Sequence, residues 1–422
     1  MAGKIYERKL DEKIKKFVKR KEIVGIRGAR QTGKTTLLKI IANSIPDEYD
    51  KVFVNMDMVE YRRALEESPM DFVKRFRTPD KKLYLFLDEV QRVKDGGEKL
   101  KIIFDEFPDV KMFISGSSSL ELKANILGFL VGRLFLYELY TFDFEEFLST
   151  RDKGLVRLFA EKHLSFKNFL EDEGDIDSPA FTSEFLSLWK EYVIFGGYPE
   201  VVKAPDYEEK IAVLKNIFNL YLEKDIIAFF GIEDTSNFEK LLKVLAFNIS
   251  SLMSGYSIAS DLGIPYKKVE VFLTILEHTY SIHLLKPFHR NLVTELKKSS
   301  KIYFLDTGLR NMAIDNFTAF GRRSDQGELM ENFVLRELVS GFGEWKLNYW
   351  RTAGKAEMDF VLRKGNKIIP IEVKLGGEKL GKSFYSFLEA YEPKKAVVAS
   401  LDKFKKEKIG KTMVYWVPVF YL

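Results

Sequence analysis

The 422-residue chain contains no cysteine and only four histidines. Without cysteine there is no disulfide framework and no thiolate zinc site. Three of the histidines, His278, His283 and His289, lie close together, but spacings of five and six do not stack them on one helical face as a metal pair. Also missing is any run near the roughly 18–20 apolar residues of a membrane span. Met1 to Arg20 is charged and amphipathic, without the apolar core of a secretory signal. A cytoplasmic protein with no membrane partner is expected.

A large charge of one sign is absent too. The 67 basic and 62 acidic residues leave a formal net charge of +5. That balance neither demands nor excludes nucleic acid, because a local basic face matters more than a chain total. The lysine clusters Lys13–Lys21 and Lys394–Lys411 read equally well as solvated helix faces. Core-forming material is plentiful: 46% of residues are hydrophobic and 14% aromatic, which excludes a disordered chain. The length exceeds what one core usually supports, so two to four domains are expected.

Glu22 to Ile26 is a short apolar run that reads as a buried strand, and it leads directly into Gly28-Ala29-Arg30-Gln31-Thr32-Gly33-Lys34-Thr35. This is a full phosphate-loop pattern, and Thr36 to Ala42 continues as a helix. Glycines allow successive N–H groups to turn toward phosphate, and the helix adds its positive end. Lys34 is expected to reach the β- and γ-phosphates of ATP, and Thr35 to give its hydroxyl to Mg2+. Downstream, Leu83 to Glu89 is an apolar strand ending in two acids. Asp88 should hold magnesium through its water shell, while Glu89 polarises the attacking water. Further strands at Lys51–Asp57 and Lys111–Ser115 alternate with helices and call for a doubly wound parallel sheet. Ser115, or a hydroxyl of the following Gly116-Ser117-Ser118-Ser119, stands where a γ-phosphate sensor would lie; a plain polar loop is the alternative.

These residues resemble the AAA+ ATPases, and more narrowly a prokaryotic and archaeal ATPase family with a C-terminal restriction-endonuclease-like, PD-(D/E)xK, domain of unknown function. The resemblance rests on Gly28 to Thr36, Leu87-Asp88-Glu89, Ser115-Gly116-Ser117-Ser118, and Gly132-Arg133 followed by Leu139 to Phe147. It implies a closed homo-oligomer, such as a hexameric ring, in which Arg133 completes a neighbour's site. A structural ion pair is the alternative for Arg133.

Glu171 to Pro179 is acidic, poor in apolar residues and reads as an exposed loop. Gly196-Gly197-Tyr198-Pro199-Glu200 is a second break, matched in the same family, with no chemical role evident. Phe238 to Ser251 is apolar at helical spacing. A short helix and turn over Ser257–Ile264, and a long helix opened by Pro265, then resemble a helix-turn-helix with Ile282–Phe288 as a wing. Lys267 and Lys268 would start its recognition helix, although such modules also serve as protein-interaction units.

Near the C-terminus, Glu357–Leu362 alternates as a strand, Lys364-Gly365-Asn366 turns, and Lys367–Lys374 returns. Period-two geometry puts Glu372 and Lys374 on one face, with Val373 buried behind. Asp359 could join Glu372 in a cradle for a second Mg2+ or Mn2+, with Lys374 steadying the attacking water or phosphate charge. The resemblance adds Glu331 as the acid on the preceding helix. The alternative is a surface charge alternation on an amphipathic hairpin.

The expected architecture is therefore α/β: an AAA+ core over 1–150, a helical region over 151–236, a winged helix-turn-helix over 237–298 and a restriction-endonuclease-like domain over 299–422. Its expected function is Mg-ATP hydrolysis coupled to nucleic-acid binding or processing. An ATP-dependent switch or scaffold that binds a partner without cleavage is the alternative. A small-molecule kinase would have no use for Glu89 or the appended domains.

Overall fold

Five short strands pair in parallel at the N-terminal end: β1 (Ile23–Arg27), β2 (Asp50–Asn55), β3 (Leu83–Asp88), β4 (Val110–Gly116) and β5 (Leu134–Glu138). Their order is β2-β3-β4-β1-β5. The strands read as nearly continuous apolar runs because both faces of the sheet are covered. Leu83, Leu85, Leu87 and Ile114 pack against Leu65, Phe72, Leu100 and Ile103 on one face. Tyr84, Phe86 and Phe113 meet Leu37, Leu38 and Ile41 of the helix Lys34–Ser44 on the other. The chain leaves β1 toward β2 and, after β4, crosses to β5 on the far side of β1. Sheets of this kind bind ligands at the strand C-termini beside such a reversal.

The computed structural model describes residues 6–117, 126–172, 174–227, 234–288 and 299–422. Ser118, Ser119, Glu173 and His289, singled out above, lie outside the described residues. The chain falls into two units, Met1–Thr141 with His278–Tyr280 and Phe142–Glu277 with Ser281–Leu422. Among the described residues no helix is long and apolar enough to cross a membrane.

Within the second unit the Gly196-Gly197 break turns out to be a meeting of backbones. A Cβ on Gly197 would fall 2.0 Å from the Phe142 carbonyl oxygen, and one on Gly196, at φ 73°, 2.2 Å from Asp306. Phe142 N–H donates to the Gly197 carbonyl at 2.7 Å, and Gly197 N–H donates to Asp306 at 2.9 Å. The role of this motif is close packing, which explains why no chemistry could be read into it.

Helices Gly255–Leu262 and Tyr266–His278 follow, then the antiparallel pair β6 (Ile282–Leu285) and β7 (Lys301–Phe304). Ile282, Ile302 and Phe304 share one core with both helices. Last comes a six-stranded sheet of order β12-β13-β11-β10-β9-β8. Its strands are β8 (Lys346–Arg351), β9 (Glu357–Lys364), β10 (Lys367–Lys374), β11 (Lys395–Ser400), β12 (Lys405–Ile409) and β13 (Thr412–Pro418). The basic stretch Lys394–Lys411 thus lies mostly in β11 and β12, so the helix-face reading does not hold for it. In β12 partly buried and exposed residues alternate, a period of two, and lysines on such an edge discourage pairing with other chains.

Candidate functional site

The segment Gly28, Ala29, Arg30, Gln31, Thr32, Gly33, Lys34, Thr35, Thr36 runs as a loop from β1 to Gly33 and then forms the first turn of the helix Lys34–Ser44. Its first glycine is compulsory: a Cβ on Gly28 would sit 2.0 Å from the Leu139 carbonyl oxygen. Gln31 and Gly33 both adopt positive φ, 63° and 95°, which folds the loop around the helix N-terminus. Thr32 ties the loop to itself, its hydroxyl donating to the Ala29 carbonyl at 2.9 Å. Lys34 donates to the carbonyls of Gly28 at 3.0 Å and Ala29 at 2.8 Å, so its ammonium lies over the loop. A residue without any motif signal also braces it. Buried Arg8 donates to the Thr32 carbonyl at 2.8 Å and the Tyr140 carbonyl at 2.7 Å.

Asp88, at the end of β3, is buried beside this loop. It accepts from the Thr35 hydroxyl at 2.6 Å and from Ser115 at the end of β4. Thr35 and Asp88, 53 residues apart in sequence, therefore stand together as a magnesium pair requires. Ser115, expected with the neighbouring hydroxyls as a phosphate sensor, gives its hydroxyl to Asp88. Glu89 leaves the strand direction through a left-handed backbone, φ 58° and ψ 40°, so successive acids diverge. Gln91 and Ser117 both hydrogen-bond its carboxylate. Arg133 pairs with Asp105 at 3.0 Å, with about a third of each side chain exposed (32% and 39%).

In the second unit, Glu331, Asp359, Glu372 and Lys374 are brought to one region, together with two residues that sequence reasoning passed over. Lys301 of β7, its side chain only 3% exposed, places its ammonium 3.0 Å from Glu331, 2.5 Å from Glu357 and 3.8 Å from Asp359. Tyr303 donates to Glu331 at 2.5 Å. The period-two pattern of β7 puts Lys301 and Tyr303 on one face, the only signal available in the sequence. Glu372 pairs with Lys374 at 3.0 Å, and Asp359 accepts from the Val373 N–H at 2.8 Å. Glu372 is 8% exposed while Val373 is half-buried, the reverse of the burial expected for Val373, because the acid faces the interior cluster. Among the described residues no group of three or more Asp, Glu or His is arranged to hold a metal ion.

Burial pushes Glu331 up to about 7, although Lys301 pulls the other way. Burial and the nearby Asp359 push Glu372 up to about 8 against the pull of Lys374. Burial likewise raises Asp359 against Lys301. The folded carboxyls thus keep protons that the unfolded chain has lost above its ordinary value near 4.5. Their contribution to stability is largest below that value and falls as pH rises through about 7 to 8. Urea unfolding at pH values across this window should show a falling midpoint, with a flatter decline in Glu372→Gln. A midpoint that rises, or an unaltered slope in the variant, would contradict this.

Comparison with known proteins adds three family matches. Residues 20–148 match a family described as an AAA domain, residues 186–319 a domain of unknown function (DUF8612), and residues 326–419 a second such domain (DUF4143). The first match agrees with the parallel sheet and phosphate loop: the N-terminal unit is of the AAA ATPase type and has the fold of an ATP-binding domain. An uncharacterized protein of Mycobacterium tuberculosis is 26% identical over 374 residues, 86% of this chain and 72% of its own length. An uncharacterized protein of Methanocaldococcus jannaschii is 26% identical over 349 residues, 81% of this chain and 72% of its own length. AMPPCP-bound DnaA from Aquifex aeolicus overlaps at 14% identity and a TM-score of 0.29, covering 64% of this chain and 86% of that chain.

Proposed function

We propose that the N-terminal unit binds Mg-ATP and hydrolyses it, and that the nucleotide governs how the second unit engages a nucleic acid. The observation carrying the first part is the bond between Thr35 and Asp88, which joins the phosphate loop to the acid-ended strand. Thr35 and Asp88 would hold magnesium, whose charge neutralises the phosphates. Gly28 to Lys34 offer backbone N–H groups to the phosphates, and Lys34 exchanges loop carbonyls for phosphate oxygens. Glu89 accepts a proton from the attacking water. ATP turnover by the intact chain, with and without DNA or RNA and with its mass in solution, tests this reading; no turnover under any condition would end it.

A closed homo-oligomer, hexameric or otherwise, belongs to the same reading, with Arg133 exchanging Asp105 for a neighbour's phosphate. Mixing Arg133→Ala with Glu89→Gln subunits should then restore activity that each lacks, because a hybrid interface unites an intact Arg133 with an intact Glu89. A fully active monomer rules this out.

For the second unit, two readings stand. In one, Asp359, Glu372 and Glu331 hold Mg2+ or Mn2+ and, with Lys374, cut a phosphodiester. In the other, the helices Gly255–Leu262 and Tyr266–His278, with Lys267 and Lys268, act as a winged helix-turn-helix and the carboxylate cluster is structural. Lys301 favours the second: it supplies positive charge from within the chain at the centre of the acids. Incubation of DNA and RNA with the protein and manganese decides between them, since cleavage lost in Asp359→Ala would establish the first.

A further inference from the structure

The acidic stretch that begins at Glu171 does not stand free in solvent. It follows the helix Lys153–Leu170 and lies against lysines from four strands of the six-stranded sheet. Glu171 pairs with Lys364 of β9 at 2.8 Å and Lys367 of β10 at 3.4 Å. Asp172 pairs with Lys395 of β11 at 2.9 Å and with Lys367 at 3.2 Å. Asp175 pairs with Lys406 of β12. Lys364, Lys367 and Lys395 share one end of the sheet, because β9 and β10 meet at their turn and β11 runs parallel to β10. Neighbouring strands lie about 4.8 Å apart, so these ammonium groups form a closely spaced row. Glu372 and Lys374 stand at the other end of β10.

This contact is fastened at its ends and loosely held between them. Leu170 is buried, and the Ala180 carbonyl accepts from the Tyr421 hydroxyl at 2.9 Å. No described residue from 171 to 178 is buried. Ser165 bridges the middle, donating to the Asp175 carbonyl at 3.2 Å and accepting from the Asp177 N–H at 3.0 Å. Lys367 and Lys395 also donate to carbonyls at the end of the helix, those of Glu171 at 2.8 Å and Phe169 at 2.7 Å, and so help to terminate it. Lys364 and Lys406, with side chains 37% and 44% exposed, face side-chain acids instead, Lys364 also meeting Glu344 at 2.8 Å. Ion pairs this exposed hold weakly and are screened by salt.

We propose that this lysine row is a binding surface for the phosphate backbone of a nucleic acid, and that Glu171, Asp172 and Asp175 form a strap that occupies it until the nucleic acid arrives. The inference rests on the reading that the second unit engages a nucleic acid. A carboxylate and a phosphate oxygen offer the same kind of acceptor to an ammonium group. The strap therefore holds the lysines as a substitute anion, and an incoming backbone exchanges with it. Little opposes the exchange, because the strap buries almost no apolar surface and its fastened ends let it swing out without disturbing the sheet. The backbone also brings a driving force that three spaced acids lack: it sheds condensed counterions as its phosphates meet lysine.

The test is fluorescence-anisotropy binding of labelled oligothymidylate, oligouridylate and duplex DNA to the full chain over a range of salt concentrations. The proteins are wild type, a strap variant (Glu171→Gln, Asp172→Asn, Asp175→Asn), the strap variant with Lys364→Gln and Lys406→Gln added, and Lys267→Gln with Lys268→Gln. Building the lysine changes on the strap variant keeps loss of the strap's own partners out of the comparison. The strap variant should bind about tenfold tighter than wild type at low salt, the summed effect of several weak pairs. Adding the two lysine changes should weaken binding again and make the slope of log K against log salt shallower by about 1.4 on a single strand, about 0.7 for each lost phosphate contact. A strap variant no tighter than wild type, or lysine changes without effect, overturns the proposal. If binding is then lost only in Lys267→Gln with Lys268→Gln, the row is wrong and the nucleic-acid reading stands. If none of the proteins binds any of the three probes, both fall together. Polyglutamate that displaces the probes as well as unlabelled oligonucleotide does also overturns the proposal, by making the row a site for acidic chains in general.

Discussion

Replacing Glu89 by Gln should leave ATP binding unchanged and slow its hydrolysis by about 100- to 10,000-fold, the usual contribution of a positioned general base. The substitution preserves size and the capacity to accept a hydrogen bond but removes the basic oxygen. It spares the groups that meet the ground-state phosphates, because Lys34, Thr35 and Asp88 occupy different elements and Glu89 turns away from Asp88 through its left-handed backbone. Lys34→Ala separates the two roles from the other side, since it removes charge directed at bound phosphate and should abolish nucleotide binding. Equilibrium binding of a fluorescent nucleotide alongside single-turnover hydrolysis distinguishes these outcomes. Unchanged turnover in Glu89→Gln would end the assignment.

The second large effect is expected at Lys301. Its ammonium is shared by Glu331, Glu357 and Asp359 in a buried setting. Removing one partner of a buried ion pair leaves charge without compensation and costs about 3–5 kcal/mol. Lys301→Met keeps most of the apolar stem, so the loss would reflect charge and not volume. All four tryptophans, Trp189, Trp345, Trp350 and Trp416, belong to the second unit, which makes intrinsic fluorescence in urea a direct readout. Adding Glu331→Gln to Lys301→Met should recover part of the loss by deleting a stranded acid. A single variant within about 0.5 kcal/mol of wild type would show that the acids are neutralised otherwise.

The parts of this molecule that were legible in the sequence are those in which neighbours along the chain are also neighbours in the site. Gly28 to Thr36 is one contiguous stretch of loop and helix start, and Leu83 to Asp88 is an interior strand whose two buried faces enforce an unbroken apolar run. β5 is a shorter signal: Leu134-Phe135-Leu136-Tyr137 has a strand-like composition, but so brief an apolar run does not by itself separate a strand from a helix segment. The hairpin of β9 and β10 was readable from its turn, but the surroundings of its acids were not. Lys301 reaches them from a strand distant in sequence, and nothing in one sequence says which of many lysines will do so. Arg8 is hidden for the same reason, since it braces the phosphate loop from a segment with no motif of its own.

The contacts around Gly196 and Gly197 bear on how the second unit opens in solution. Backbone from three parts of the chain converges there, with Tyr192 donating to the Phe142 carbonyl at 2.7 Å and Asp306 accepting from both Gly197 and Leu309. No side chain can separate the strands of main chain, and every one of these N–H groups is engaged inside the unit. Solvent deuterium reaches such amides only when the packing around them comes apart as a whole. The Gly197 amide therefore reports the global opening of its unit, whereas amides near chain ends report only local fraying.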